Sequence, residues 1–325
     1  MSTTTRLAIN TETLAWVAAY LRHLTSERML SSHTVSAYRR DLHELARLAA
    51  VVEWHAVRSA DIRRCASSLR AKNLDARSIA RKLSAWRGFF NWLGQQDSFQ
   101  NALAVNPVDG VRAPKRARTL PRALSVDDAV HLVSSLAEAT PFELCNRAMF
   151  ELLYSSGLRV SELAGLDLHY QKLQAPGAGP GASLGWIDFD AHEVIVTGKG
   201  SKMRKVPVGS CAIDAMTSWL RVRPEPLDGS NALFLNSRAR RISPRVLQLR
   251  LKAHGQAAGT PVNVHPHVLR HSFASHVLQS SGDLRAVQEM LGHTSITSTQ
   301  IYTSLDFQHL ALVYDKTHPR AKAGK

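Results

Sequence analysis

One stretch divides this chain before any other feature is read: NPVDGVRAPKRARTLPRALS, residues 106–125. It holds three prolines and a glycine and shows neither a helical nor a strand period. Each proline fixes φ and removes a backbone donor, so no continuous helix or central strand can run through it. The segment reads as an extended linker, with separate folded units on either side. Its middle, residues 112–122, is basic through Arg112, Lys115, Arg116 and Arg118. Such residues can follow a phosphate backbone or simply stay solvated.

Upstream, residues 1–111 read as helical. Leu14, Val17, Leu21 and Leu24 repeat at three- and four-residue intervals, and so do Val35, Tyr38, Leu42 and Leu45 after a cap at Ser31 or Ser32. Ile79, Leu83, Trp86 and Phe90 form a third stripe, closed by Gly94. These stripes predict the core of a small bundle. The residues left outside them are basic: Arg39 and Arg40 on one helix, Arg77, Arg81 and Lys82 on another. Cationic helix faces of this kind suit a groove of duplex DNA, or are plain solvated surface.

Downstream, residues 123–325 mix the two periods. PFELCNRAMFELLYSSGLRVSELAGL reads as a helix, a stop at Gly157 and a second helix. GWIDFDAHEVIVTGKGSKMRKVPVG alternates apolar and polar residues, which predicts a small antiparallel sheet with hairpins at 190–193 and 198–202. From Pro244 onward the pattern is again helical, and HYQKLQAPGAGPGASLG (169–185) reads as a surface loop. The expected fold is mainly α with a small antiparallel sheet, an α+β chain.

Charge narrows the partner. The chain carries 41 Lys and Arg against 26 Asp and Glu, a formal charge of +15. Residues 1–118 hold 19 basic and 9 acidic residues, so the excess is concentrated there. Such an imbalance points to a polyanion, nucleic acid first. No apolar run is long enough for a membrane span, and the opening residues lack a basic-then-apolar leader. Three widely spaced cysteines fit a reducing cytoplasm.

Four places hold polar groups that core packing does not require. Arg159 follows the Gly157 turn, with Glu162 three residues on to orient its guanidinium. Lys199 lies between two glycines at the expected hairpin tip, where a lysine can deliver a proton or simply be solvated. His267 and Arg270, three apart, share a helix face. His267 and His271 are four apart, but no Glu follows the first and no Cys is near, so no metal is expected. His265, His271 and His276 read as structural. His293 follows LG, and Tyr302 comes nine residues later. Each place alone reads equally well as ordinary helix, turn or packing.

Taken in order, Arg159, Lys199, His267, Arg270, His293 and Tyr302 resemble the signature of the tyrosine recombinases, the phage integrase family. LSSHTVSAYRRDL, NPVDGVRAPKRARTLPRAL and YTSLDFQHLALVYDKTHPRAKAGK are similar to the bacterial Xer group, to its XerC branch more than XerD. The 169–185 loop departs from the usual pattern there. The resemblance implies a helical core-binding (SAM-like) domain before the linker and a catalytic domain after it, closing together around duplex DNA. It implies that Tyr302 attacks a phosphodiester, leaving a 3′-phosphotyrosyl link and a free 5′-hydroxyl. Arg159 and Arg270 would clamp the non-bridging oxygens, with His293 donating a further hydrogen bond. His267 would accept the tyrosine proton and Lys199 protonate the leaving oxygen; charge alone lets His267 and His293 exchange roles. No cofactor is implied, and the chain has no GxxxxGK[ST] motif.

The partners implied are a specific DNA site, a XerD-like recombinase in a heterotetramer on two such sites, and a DNA translocase of the FtsK type. The task implied is resolution of chromosome and plasmid dimers at cell division. The segment FQHLALVYDKTHPRA is expected to dock on a neighbouring subunit through Leu310, Leu312 and Val313. The alternatives are a phage or mobile-element integrase, a type IB topoisomerase sharing the chemistry, and a DNA-binding descendant without catalysis.

Overall fold

A computed structural model describes residues 10–51, 53–99, 103, 105–114, 123–172, 183–198, 203–292 and 304–321, without the side chains of 304–309 and 311. The chain forms two compact units, Met1–Thr119 and Leu120–Lys325. Lys115, Arg116 and Arg118, Lys199, His293 and Tyr302 lie outside the described residues.

The first unit is built on four helices, α1 (Thr11–Ser26), α2 (Ser32–Leu48), α3 (Ser59–Ala71) and α4 (Ala76–Leu93). Asn10, Ser31 and Asp75 cap three of them by accepting backbone N–H bonds in the first turn. The expected stripes are core: Val17, Leu42, Leu45, Ile79, Leu83, Trp86 and Phe90 are each at most 2% exposed. Helix α3 lies in the stretch read as helical but had no named stripe; its short stripe of Ile62, Cys65 and Leu69 is equally buried. Gly94 does close α4, yet with φ −64 it makes no left-handed stop. Trp54 plugs the bundle and donates to the Thr13 carbonyl, and Trp86 donates to that of Asp41.

The start of the 106–125 stretch, ahead of residues 112–122, does not stand off from the helices. Val108 and Val111 are buried in the bundle, Arg87 on α4 donates to both their carbonyls, and Ser59 donates to that of Pro107. Hydrophobic burial and these bonds hold the start of the stretch against the helices despite its prolines. Lys82 does not belong to an outer cationic face either. Its ammonium donates to Asp41 at 2.9 Å and also pairs with Glu44, while Arg81 pairs with the same Asp41. Asp41 is 1% exposed, and a carboxylate there needs its cations. Lys82→Ala should therefore destabilise the protein by roughly 3 kcal/mol, as breaking a buried pair does, against under about 0.5 kcal/mol for Arg77→Ala. Urea unfolding of the two variants checks this. Arg39, Arg40, Arg77 and Arg112 are exposed as expected.

The second unit is organised around α6 (Pro141–Ser156), which is buried along most of its length and packs on α5 (Val126–Ser134) and α8 (Ser210–Val222). Thr140 caps α6, and Gly157 ends it in the left-handed region at φ +56. A β-carbon at Gly157 would run into the Phe273 ring, so glycine is required there twice over. The short α7 (Val160–Ala164) follows. The sheet is antiparallel in the order β1 (Gly185–Asp188), β2 (Glu193–Thr197), β3 (Met203–Pro207), with Val196 opposite both Gly185 and Arg204. The first hairpin turns where expected, and Thr197 pairs with Met203 at the base of the second. Helices α9 (Pro244–Ala257), α10 (Pro266–Ser281) and α11 (Leu284–Leu291) follow the sheet and α8, and α12 (Ser304–Thr317) is the last helix among the described residues. No helix among the described residues is long and apolar enough to cross a membrane.

The terminal helix packs on its own domain. Leu310 and Tyr314 are buried in that core with Val313 packed against it, so Leu310 departs from the expected contact on a neighbouring subunit, while Leu312 faces outward at 58% exposure. The Tyr314 hydroxyl lies 2.6 Å from that of Ser155, and Arg320 pairs with the fully buried Glu151. His318 Nε2 donates to the Tyr154 carbonyl while its Nδ1 accepts from the Arg320 amide. His276 is held the same way, between the Leu124 carbonyl and the Tyr154 hydroxyl. Both rings thus use each nitrogen as a neutral imidazole. Burial pushes His318 down to about 3 and lowers His276 as well. Unfolded, each titrates near 6.5. The unfolded chain therefore binds more protons below that pH, and stability is full above about 6.5 and falls as pH drops toward the folded values. Each ring contributes at most about 1.4 kcal/mol per pH unit. The unfolding midpoint should decline between pH 6.5 and 4, and His318→Gln should flatten the decline.

Candidate active site

Local sequence brings the first arginine into place. The left-handed Gly157 turns the chain out of α6, so that Arg159 stands at the N-cap of α7. Glu162, at the third position of that helix, accepts the Arg159 backbone N–H at 2.8 Å and its Nη1 at 2.7 Å. The i,i+3 spacing thus supplies a helix cap and an orienting carboxylate together. Arg159 Nη2 reaches the Gly292 carbonyl at 3.3 Å.

The second arginine comes from the first turns of α10. Arg270 is 8% exposed, and its guanidinium donates to the Gly157 carbonyl at 2.5 Å and the Leu291 carbonyl at 2.6 Å. Both guanidiniums therefore reach the turn ending α11, and Arg270 also holds the one ending α6. Burial pulls the Arg270 guanidinium down to about 10, the charges of Arg159 and Arg204 adding to this against the opposing pull of Glu162. It remains a cation at neutral pH, in a place that an anion would relieve. That is the electrostatic form of a phosphate site.

A third guanidinium enters that sequence patterning missed. Arg204 on β3 sits opposite Val196 on the inner face of the sheet. It donates through Nη1 and Nη2 to the two Glu162 oxygens, at 2.8 Å each, and through Nε to the Met290 carbonyl at 3.0 Å. Burial alone would raise Glu162, but these bonds and the charge of Arg204, with Arg159 beside it, bring it down to about 2. The one signal available in the sequence is that Arg204 occupies an inward position in the strand alternation MRKVP, where an apolar residue is the rule.

His267, at the start of α10, is exposed one turn before Arg270, its ring 6.2 Å from that of His265. Of the histidines read as structural only His276 is buried; His265, the N-cap of α10, and His271 lie at the surface. The described residues flank the other three expected members. Lys199 belongs to the connection between β2 and β3, His293 directly follows the Gly292 whose carbonyl meets Arg159, and Tyr302 precedes α12 by two residues. Among the described residues, Arg159 on α7, Arg204 on β3 and Arg270 on α10, far apart in sequence, thus meet at the end of α11.

Comparison with known proteins agrees with this geometry. The phage integrase family profile matches residues 181–309, and the phage integrase N-terminal SAM-like domain matches residues 17–97. The chain is 52% identical over 317 residues to tyrosine recombinase XerC 1 of Ralstonia nicotianae, covering 94% of each. It is 44% identical over 316 residues to tyrosine recombinase XerC of Alcanivorax borkumensis, covering 96% of each. In fold it is similar to a lambda integrase tetramer bound to a Holliday junction, at TM-score 0.66 and 15% identity, covering 93% of this chain and 84% of that one. It is likewise similar to the Tn1549 transposon integrase in complex with a circular intermediate DNA, at TM-score 0.65 and 17% identity, covering 92% of this chain and 99% of that one.

Proposed function

Because the chain belongs to the phage integrase family, as a XerC-type tyrosine recombinase and hence a site-specific DNA recombinase, we propose that it cuts and rejoins DNA at a short chromosomal site together with a XerD-like partner, resolving chromosome and plasmid dimers. The observation that carries this reading to the site is the convergence of Arg159 and Arg270 on the Leu291–Gly292 turn.

The chemistry follows from what an attacked phosphodiester requires. Tyr302 supplies the nucleophile, and its hydroxyl oxygen bonds to phosphorus. The 5′ oxygen of the next nucleotide leaves, and a 3′-phosphotyrosyl link remains. Arg159 and Arg270 neutralise the charge gathering on the non-bridging oxygens, where preorganised donors act most strongly. His293 adds a hydrogen bond there. His267, exposed at the mouth of α10, accepts the tyrosine proton, and Lys199 returns a proton to the departing oxygen. A 5′-hydroxyl from the partner duplex then reverses the step and joins the strands in new company. Phosphodiester energy is conserved throughout, so the reaction needs no nucleotide.

Arg39, Arg40 and Arg77 on the outer faces of α2 and α4, with Arg112, Lys115 and Arg116 beyond them, hold the DNA backbone in this reading; Arg81, engaged with Asp41, contributes less. Assembly is a heterotetramer on two sites, with a translocase of the FtsK type aligning them. A plasmid carrying two directly repeated sites tests the partnership. Deletion between the sites is expected only when this chain and the XerD-like recombinase are both present. Efficient deletion by this chain alone would favour a self-sufficient integrase instead.

A further inference from the structure

We propose that Arg204 is a positioning residue for strand cleavage, holding the Arg159 guanidinium in its phosphate-binding orientation through Glu162 and tying it to the turn from which His293 departs. The inference rests on the recombinase reading and assigns it a further part.

Three observations place Arg204 at this junction. Its guanidinium takes both oxygens of Glu162 in a fork, and Glu162 in turn holds both the backbone and the side chain of Arg159. Its Nε holds the Met290 carbonyl in the last turn of α11. Its stem packs against Gly292, where a β-carbon would lie 3.0 Å from Cδ and where φ is +64. The neighbouring Gly292 carbonyl is the one that Arg159 meets. Arg204 therefore links β3, the strand after the Lys199 hairpin, to the start of α7 and the end of α11.

The planar fork is what the position demands. Glu162 is only 6% exposed in its side chain, and a buried carboxylate facing Arg159 alone would draw that guanidinium fully to itself. With Arg204 occupying both oxygens, Arg159 shares only one of them through its side chain and reaches the Gly292 carbonyl with Nη2, which leaves its other N–H groups for an anion. A lysine in place of Arg204 keeps the charge but reaches one oxygen at a time, and so cannot hold the carboxylate plane. Orientation errors of this size near a reacting centre cost about 10- to 100-fold in rate.

The test compares two nicked suicide substrates, one with an ordinary scissile phosphate and one with a methylphosphonate there. The methylphosphonate lacks the non-bridging charge that Arg159 neutralises. On phosphate at saturating protein, Arg204→Lys should form the covalent adduct about 10- to 100-fold more slowly than wild type, with DNA affinity and unfolding midpoint little changed. On methylphosphonate that ratio should shrink toward one, as it should for Arg159→Ala. Should Arg204→Lys fail to fold, Glu162→Gln serves in its place, because it keeps the shape and loses the charge that the fork grips. The same shrinkage is expected. Equal rates for variant and wild type on phosphate, or an unchanged ratio on both substrates, would overturn the proposal and leave Arg204 a supporting ion pair. Absence of adduct from wild type on either substrate would instead remove the recombinase reading and this inference with it.

Discussion

Tyr302→Phe should abolish the covalent protein–DNA adduct on a nicked suicide substrate while leaving DNA binding intact. The physical ground is simple. A tyrosine hydroxyl of ordinary pKa about 10 is almost wholly protonated at neutral pH, so the site must accept its proton and stabilise the charge formed at phosphorus. Removing the oxygen leaves every phosphate contact in place and deletes the bond-forming atom. A loss of roughly 10⁴-fold or more is expected, as when a nucleophile is removed elsewhere. The adduct is read as an SDS-resistant band, and binding is read separately by gel shift. A band of undiminished intensity from the Phe variant would refute the assignment of the nucleophile.

Arg270→Lys should give the second-largest effect, about 10²- to 10³-fold in cleavage rate. Arg270 spans two carbonyls, those of Gly157 and Leu291, from a buried position. An ammonium on a flexible stem cannot span both and still face a phosphate. Affinity for DNA should fall far less, since many other phosphate contacts share that load and each contributes its own counterion release. Single-turnover cleavage against equilibrium binding separates the two quantities. A parallel fall in both would show Arg270 acting as an ordinary phosphate anchor. Because a guanidinium held down to about 10 by burial is relieved by an anion, the wild-type protein should also gain thermal stability with phosphate-bearing DNA more than Arg270→Lys does.

Much of the candidate site was legible because its logic is local. Arg159 and Glu162 are three residues apart and form a cap at the start of α7. His267 and Arg270 share the first turns of α10, although one is exposed and the other buried. Gly157 and Gly292 mark helix ends in the left-handed region, which few other residues enter. The helical stripes were equally legible, since period 3.6 is set by backbone geometry and survives in the order of residues. Helix α3, for which no stripe was named, carries only Ile62, Cys65 and Leu69, too few repeats to stand out.

Other features escaped for one shared reason. Lys82 looked like a member of a basic face, and its role turned on Asp41, a residue 41 positions earlier. Arg204 meets Glu162 across 42 positions and the α11 carbonyl across 86. The C-terminal tail was expected on a neighbour; its Arg320 instead meets Glu151 across 169 positions, and Tyr314 meets Ser155 across 159. Charge and periodicity carry no information about partners at such separations.

The order of residues alone therefore determined the two-unit division, the helical and strand periods, the cationic character and the ordered set ending at Tyr302. Each of these depends on neighbours within about one helical turn or on summed composition. Only the tertiary structure decided which charged side chains are spent on the fold, which face the site, and where α12 rests. Those outcomes depend on burial, and a buried charge takes whichever opposite charge or carbonyl the packing brings to it.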